Sequence, residues 1–294
     1  MLAPTIMSKQ LLPGWKGWIL IGFLGWSYLP TLVELYQKWM NDPQYSHGIL
    51  VPLFSLYLLF QNQSKAVENP QRWPFLGYLV LILAVACRGI AALLCFLPLD
   101  AVSLLLCITG MVLLSGGIES LRWTWPSLLF LVFMIPLPYQ VERMMGAELQ
   151  HLATLASTYL LQTLGQPAIS EGNVILVDEV RLGVVEACSG LRMLMTFLAF
   201  AVAATLLMQR GWVVKLLILA SAIPIALLTN ILRITATGML HVWLHDDAER
   251  KGVLSFMHDF NGWMMMPVGL LFLMLELWLF KHLLIEPDSI TEEE

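Results

Sequence analysis

The sequence predicts an all-α polytopic membrane protein with about eight transmembrane helices, an amphipathic helix on the outer face and a short β-ribbon before a reactive cysteine. Three observations support this: an apolar composition, apolar segments of membrane length, and periodic patterns in residues 141–186. Hydrophobic residues make up 58% of the 294 positions and charged residues only 13%, with a mean hydropathy of +0.75. Soluble domains carry about 25% charged residues, so this chain lacks the polar surface to cover a globule in water.

The candidate spans are apolar segments that approach the roughly 20 residues needed to cross a bilayer. They fall near residues 17–35, 48–61, 75–96, 98–117, 125–140, 187–208, 213–240 and 263–280. No small-residue cleavage site follows the first segment, so we expect a retained helix rather than a signal peptide. We expect one membrane domain over residues 1–294, with a short acidic cytoplasmic tail at 284–294.

The basic residues in the loops predict the orientation, because Lys and Arg concentrate on the cytoplasmic side. A cytoplasmic N-terminus places most of them inside: Lys9, Lys16, Lys65, Arg72, Arg122, Arg210, Lys215 and Lys281. Most loop acids then lie outside, and an even number of spans returns the C-terminus to the cytoplasm. The chain has no long basic block, which argues against nucleic acid as a partner.

The polar region 141–186 contains two periodic patterns. Residues 141–165 have helical periodicity, with apolar residues at Met144, Leu149, Leu152, Leu155, Tyr159 and Leu160. This indicates an amphipathic helix on the outer surface, and a short buried helix is the alternative. In residues 165–187, Gly-Asn and Asp-Glu separate short runs rich in Val and Ile, which is typical of a small β-ribbon.

Polar residues converge where the predicted ribbon meets the sixth span, in the stretch VVEACSGLRML at 184–194. In the predicted topology Cys188 begins that span, and Arg192 lies one turn further on the same face. Asn230 and Arg233 lie toward the outer end of the seventh span, and His258 comes just before the eighth. Ionisable residues in spans are costly and commonly functional.

This set of residues suits acyl transfer on a peptide bond. An arginine or a helix N-terminus lowers a thiol pKa, a guanidinium stabilises a developing oxyanion, and a histidine moves the proton. The alternative is that Cys188 is a small structural side chain, as we expect for Cys87, Cys95 and Cys107 in apolar runs. Another intramembrane arginine, Arg88, either pairs with Asp100 or lines the helix bundle.

No metal or cofactor is expected from the sequence. His241 and His245 are four residues apart, which suits a metal site on a helix, but no H-E-x-x-H motif occurs. The cysteines show no C-x-x-C spacing. Neither a serine-elbow motif nor a phosphate-binding loop is present.

Several motifs resemble those of the exosortase/archaeosortase family. They are EACSGLR at 186–192, N-x-x-R at 230–233 and His258 before the last span. YSHG at 45–48, IPLP at 135–138 and GQPAISEGNVILV at 165–177 are also similar to segments of that family. The resemblance covers about residues 40–270, nearly the whole chain.

The resemblance implies a bacterial multi-pass cysteine protease or transpeptidase of the cytoplasmic (inner) membrane, with its active site facing outward. Its substrates would be exported proteins ending in a Pro-Glu-Pro-type motif, a transmembrane helix and a basic cluster. The family's catalytic residues map onto Cys188, Arg233 and His258, and the roles of the last two as oxyanion stabiliser and proton shuttle stay open. Supporting or substrate-binding residues would be Arg192, Asn230, Ser189, Glu186, His47 and Tyr45.

Two other classes compete with an enzyme. A transporter would place its charged residues near the bilayer midplane, whereas most of them are predicted here at one face. An assembly factor for exported polymers would contain Cys188 only as a structural residue. The sequence does not set the oligomeric state.

Overall fold

A computed structural model describes residues 15–63, 74–177, 180–184, 190–244, 267–280 and 282. The described part is mostly helical, with a small three-stranded sheet. The chain forms two compact units, Met1–Leu137 and Pro138–Glu294.

The helices of the first unit are α1 (Trp15–Ser27), α2 (Leu29–Asn41), α3 (Leu50–Asn62), α4 (Pro74–Leu94) and α5 (Leu97–Phe130). A 3₁₀ segment, Pro43–Ile49, connects α2 to α3, and a shorter one, Leu131–Met134, follows α5. Helices α4 and α5 interlock: a side chain added at Gly77 would meet Leu114, and one added at Gly110 would meet Leu81.

The predicted span 17–35 is instead two helices, α1 and α2, bent by 63°. Pro30 lies in the first turn of α2. Proline has no N–H to donate to the preceding turn, and its ring clashes with the carbonyl four residues earlier. The helix therefore breaks at Tyr28, although the apolar run continues.

Arg88 contacts both sides of this break, and of its two alternatives the structure shows the pairing with Asp100. Its Nη1 lies 3.5 Å from Oδ1 of Asp100, and its guanidinium carbon lies 3.9 Å from the centroid of the Tyr28 ring. The guanidinium also donates to the carbonyl oxygen of Ser27, the last residue of α1. Thr31 donates to the other oxygen of Asp100 at 2.5 Å, so the Arg88–Asp100 pair ties the break to α4 and α5.

The predicted spans 98–117 and 125–140 lie on either side of a kink in α5, where the backbone of Gly116 and Gly117 is not helical. The kink falls where the first span was predicted to end, but the second helical part follows it directly, without the expected loop. Gly117 has φ 64° and ψ −157°, a conformation that is essentially restricted to glycine. The second predicted span also ends early, because the backbone becomes 3₁₀ at Leu131 and extended at Ile135.

The count of eight spans is not confirmed. Among the described residues, three helices are long and apolar enough to cross a membrane: Pro74–Leu94, Leu97–Met134 and Trp212–Trp243. The bent pair α1–α2 would make a fourth. The helices Leu191–Leu207 and Pro267–Phe280 are apolar but shorter.

The second unit contains α6 (Tyr139–Thr163), α7 (Leu191–Leu207), α8 (Trp212–Leu244) and a short helix, α9 (Pro267–Phe280). Between α6 and α7 lies an antiparallel sheet in the order β1-β2-β3, formed by Ala168–Glu171, Val174–Val177 and Val180–Gly183. The predicted β-ribbon is thus confirmed. The positive φ of Gly172 suits the first position of a two-residue hairpin turn of type II′.

The predicted helix in 141–165 is also present, but its large apolar side chains do not face the protein. Met144, Leu152, Leu155 and Tyr159 are exposed. The buried residues are mostly small: Gly146, Ala153, Thr154, Ser157, Thr158 and Leu161. Small residues let helix backbones approach closely, as in membrane bundles, and the Ser157 hydroxyl reaches the Ile231 carbonyl of α8 at 3.3 Å.

One apolar cluster joins α6, the sheet and α8. It contains Ala153, Leu161, Ala168, Ile175, Val177, Val184 and Ile234. Leu182 of β3 also packs on Gly238, where an added side chain would begin 3.2 Å from it. This cluster fixes the middle of α8 relative to the strand that leads toward α7.

Replacing Gly117 with Ala should destabilise the protein by about 1–3 kcal/mol, because a side chain is strained in this backbone conformation. Thermal unfolding in detergent micelles measures the loss. Gly89→Ala is the matched control: Gly89 lies in α4, and an added side chain there meets nothing within 4 Å. Equal unfolding temperatures for the two variants would contradict the assigned backbone at Gly117.

Candidate active site

Asn230 and Arg233 form a buried polar face on α8. They are three residues apart, so they lie on the same side of the helix. Asn230 is 1% exposed and Arg233 is 5% exposed. Both side chains are therefore buried, and each is engaged in an interaction within the protein. A buried guanidinium requires such engagement, because removing its charge from water is costly.

The start of α7 lies against this face. Gly190, the N-cap of α7, has the left-handed conformation with φ 79°. A side chain added at Gly190 would begin 2.9 Å from Nδ2 of Asn230. Only glycine combines this backbone conformation with so close an approach. The last residue of the motif C-S-G is therefore packed on Asn230.

Helix α7 begins at Leu191, later than the predicted start at Cys188. Gly190, just before it, is not helical, and the predicted helical face shared by Cys188 and Arg192 stays a prediction because Cys188 lies outside the described residues. Arg192 lies in the first turn of α7, as predicted, and is half-buried. Leu191 and Phe197 of α7 pack with Ala226 of α8, which holds the first turns of α7 on α8.

The other end of this connection is anchored to α6 and to the sheet. Val184, just after β3, is 4% exposed. Its N–H donates to the carbonyl of Asn173 at 2.9 Å, and its carbonyl accepts a hydrogen bond from the Gln150 side chain of α6. Residues 185–189 thus connect two fixed points, Val184 and Gly190.

Four predicted site residues lie outside the described residues: Glu186, Cys188, Ser189 and His258. Their roles stay predictions. Sequence reasoning did not identify Gln150 or Gly190 as parts of the site. The glycine before an apolar helix was the available signal for Gly190, whereas a glutamine on a polar helix face gives no sign of which carbonyl it will reach.

Tyr45 and His47 belong to the first unit, in the 3₁₀ segment after α2. Tyr45 is 1% exposed, and its hydroxyl accepts a hydrogen bond from the Leu137 N–H at 3.1 Å. Burial lowers the pKa of His47, and nearby backbone groups of Phe133 and Gln44 only partly oppose this shift. Gly48 lets Trp39 pack directly on this segment, since an added side chain there would begin 2.4 Å from Nε1 of Trp39.

The family described as "Transmembrane exosortase" matches residues 39–275, which cover most of the chain and all of the candidate site residues. No curated protein and no solved structure matches the chain.

Gly190→Ala should destabilise the protein more than Gly165→Ala. Both glycines have positive φ, but a side chain at Gly165 meets nothing within 4 Å, whereas one at Gly190 meets Asn230. Both variants carry the strain of a left-handed non-glycine residue, about 1 kcal/mol or more, and only Gly190→Ala adds a clash. Thermal unfolding compares them, and Asn230→Ala should relieve the excess. An equal effect of the two variants would contradict the Gly190–Asn230 contact.

The pKa of His47 predicts a loss of stability in acid. Its folded-state pKa lies below the unfolded value of about 6.5, so the unfolded chain binds the proton more readily. The stability contributed by neutral His47 is complete above about pH 6.5 and is lost as the pH falls toward the folded pKa. Unfolding in urea at pH 8 and pH 5 should therefore show a smaller pH dependence in His47→Asn than in the wild type. His151→Asn, at an exposed histidine, is the control and should keep the wild-type dependence.

Proposed function

Because the chain belongs to the transmembrane exosortase family, we propose that it is a membrane-embedded cysteine peptidase or transpeptidase. It would cleave the C-terminal sorting tail of exported proteins, at a Pro-Glu-Pro-type motif followed by a transmembrane helix. The observation that carries the proposal is the contact between Gly190 and Asn230. This contact brings the end of the C-S-G motif to the buried Asn230–Arg233 face.

The covalent chain limits how far the proposed nucleophile can lie from this face. Two peptide units separate Cys188 from Gly190, so their Cα atoms are at most about 7 Å apart. Gly190 itself touches Asn230, and Arg233 lies one turn further along α8. We propose that Cys188 lies within reach of this buried guanidinium, the kind of neighbour that lowers a thiol pKa.

In the proposed mechanism, His258 accepts the thiol proton of Cys188, and the resulting thiolate attacks the carbonyl carbon of the scissile peptide bond. Negative charge develops on the carbonyl oxygen, and Arg233 stabilises it by donating hydrogen bonds. A preorganised donor is most effective where water is excluded, and Arg233 is 5% exposed. Asn230 holds Gly190 and so sets the distance between the nucleophile segment and Arg233.

The C–N bond then breaks, and His258 delivers a proton to the leaving amine. The product is a thioester between Cys188 and the new C-terminus of the substrate. Water or an amine acceptor attacks this thioester, which gives hydrolysis or attachment and regenerates the thiol. No cofactor or metal takes part in these steps.

The proposed location is the bacterial cytoplasmic (inner) membrane, with both termini in the cytoplasm and the site facing outward. Apolar helices of membrane length support a membrane location. The outward orientation rests on the distribution of basic residues between the loops.

Cys188→Ala and Cys188→Ser should abolish tail cleavage if the thiol is the nucleophile. The measurement is the size of a co-expressed tail-bearing substrate on a gel. Cys95→Ala, at an exposed cysteine of the first unit, is the control and should cleave as the wild type does. A hydroxylamine-sensitive enzyme–substrate adduct should form only when Cys188 is present.

Continued trimming by Cys188→Ala would contradict a thiol mechanism and would favour an assembly role. Transport of a solute by both the wild type and Cys188→Ala, without cleavage, would favour the transporter alternative.

A further inference from the structure

The three-stranded sheet has two edges, formed by β1 and β3. Each edge strand has backbone N–H and C=O groups that point alternately toward β2 and away from it. Groups that point away from the sheet can pair with another extended chain. Which groups point outward, and whether they are covered, differs between the two edges.

The outward groups of β3 belong to Arg181 and Gly183. Val180 pairs with Val177 across a two-residue turn, and Leu182 pairs with Ile175. Val184 continues the same alternation, since its N–H reaches the Asn173 carbonyl on the β2 side. Residues 180, 182 and 184 therefore face β2, and residues 181 and 183 face outward.

This edge is open among the described residues. Arg181 and Gly183 are both exposed, and a side chain added at Gly183 meets nothing within 4 Å. Leu182 packs its side chain on α8 at Gly238. Strand β3 is thus held by the packing of Leu182 on α8 and by its pairing with β2, while its outer edge stays accessible.

The β1 edge is different because α6 covers part of it. The Ala168 carbonyl, which points outward, accepts a hydrogen bond from Nε2 of Gln162 at 2.8 Å. Ala168 is only 2% exposed. Of the two edges, the β3 edge is therefore the one whose outward N–H and C=O groups are accessible to an added strand.

We infer that the β3 edge binds the extended segment of the substrate next to its cleavage point, as a fourth strand of the sheet. The inference rests on the proposed function. An extended peptide is the occupant that fits, because its backbone N–H and C=O groups can form hydrogen bonds with the outward N–H and C=O groups of Arg181 and Gly183. Strand addition of this kind gives affinity through main-chain hydrogen bonds and tolerates varied side chains.

The position of the edge relative to the nucleophile supports this occupant. Gly183 precedes Cys188 by five residues, and the chain between them is anchored at Val184 by Gln150. A peptide paired with β3 runs alongside the strand that leads to the thiol. The absence of a side chain at Gly183 lets a second backbone approach closely.

Binding to the full-length Cys188→Ala protein tests the inference without requiring turnover. The probe is a synthetic, fluorescently labelled tail peptide with its Pro-Glu-Pro-type motif and transmembrane helix. Both are reconstituted in phosphatidylethanolamine–phosphatidylglycerol vesicles. In this background, Gly183→Pro removes the outward N–H and should raise Kd about tenfold, the loss of roughly one buried hydrogen bond.

Two matched variants serve as controls. Gly183→Ala keeps the N–H and meets no neighbour, so its Kd should rise less than that of Gly183→Pro. Ser170→Pro removes an outward N–H from the β1 edge and should leave Kd unchanged. A series of peptides N-methylated at single amides provides a second test, with binding expected to weaken at every second position because alternate residues face the sheet.

An unchanged Kd for Gly183→Pro, or N-methyl effects without a period of two, would overturn the inference. A lower unfolding temperature of Gly183→Pro with unchanged Kd would also overturn it, by showing that another segment of the chain covers the edge. Peptide binding with the two-residue period but no cleavage by the Cys188-containing protein would reject the proposed function and leave the edge site standing. Cleavage at the wild-type rate by a Gly183→Pro variant that keeps Cys188 would reject the edge site and leave the proposed function standing.

Discussion

The contact between Gly190 and Asn230 is the constraint on which the candidate site depends. It requires a residue without a side chain, in a left-handed conformation, at the N-cap of α7. It also requires that α8 present a polar face at the same depth. Moving α7 outward by the width of one methyl group would separate Gly190 from Asn230. The geometry of the site is therefore set by backbone packing rather than by a long polar side chain that could adapt.

The rest of the second unit holds this contact by close packing of small residues. In a bilayer, lipid is as apolar as a leucine side chain, so burying large apolar groups gives little preference for the protein interior. Helix α6 shows the consequence, because its Met, Leu and Tyr side chains point outward while Gly, Ala, Ser and Thr face α8. Short side chains bring the two backbones together, and Gly238 lets Leu182 of β3 pack on α8 in the same way.

Structural elements could be predicted from the sequence where the local residue types determine the backbone conformation. Turn residues between β-branched runs predicted the small sheet, and an acid near Arg88 offered the Arg88–Asp100 pair as one of two alternatives. Apolar run length was a poorer guide, because it does not register a proline in the first turn of a helix. Pro30 divides an apolar run that reads as a single span, and the span predicted after Gly117 begins directly at the kink rather than after a loop.

Periodicity identified α6 but not the residues that pack it on the rest of the unit, because small residues rather than large apolar ones bring helices together in a membrane. The catalytic residues stay a prediction, as a set of residue types at one end of the spans. The contacts that position the described part of the site could not be predicted, since the Gln150 side chain could reach many carbonyls and only the folded sheet places that of Val184 within range.

The sheet constrains where the candidate site lies relative to the membrane. Unpaired N–H and C=O groups in hydrocarbon cost several kcal/mol each, so open sheet edges do not occur there. The outward groups of Arg181 and Gly183 must therefore lie in water, among lipid headgroups, or against another backbone. Because β3 leads through Val184 to the start of α7, we propose that the connection between them also lies near the membrane surface. On this proposal, Arg233, one turn from Asn230 and buried, lies just inside that surface, and a substrate peptide leaving the bilayer from its own transmembrane helix would meet the open strand first.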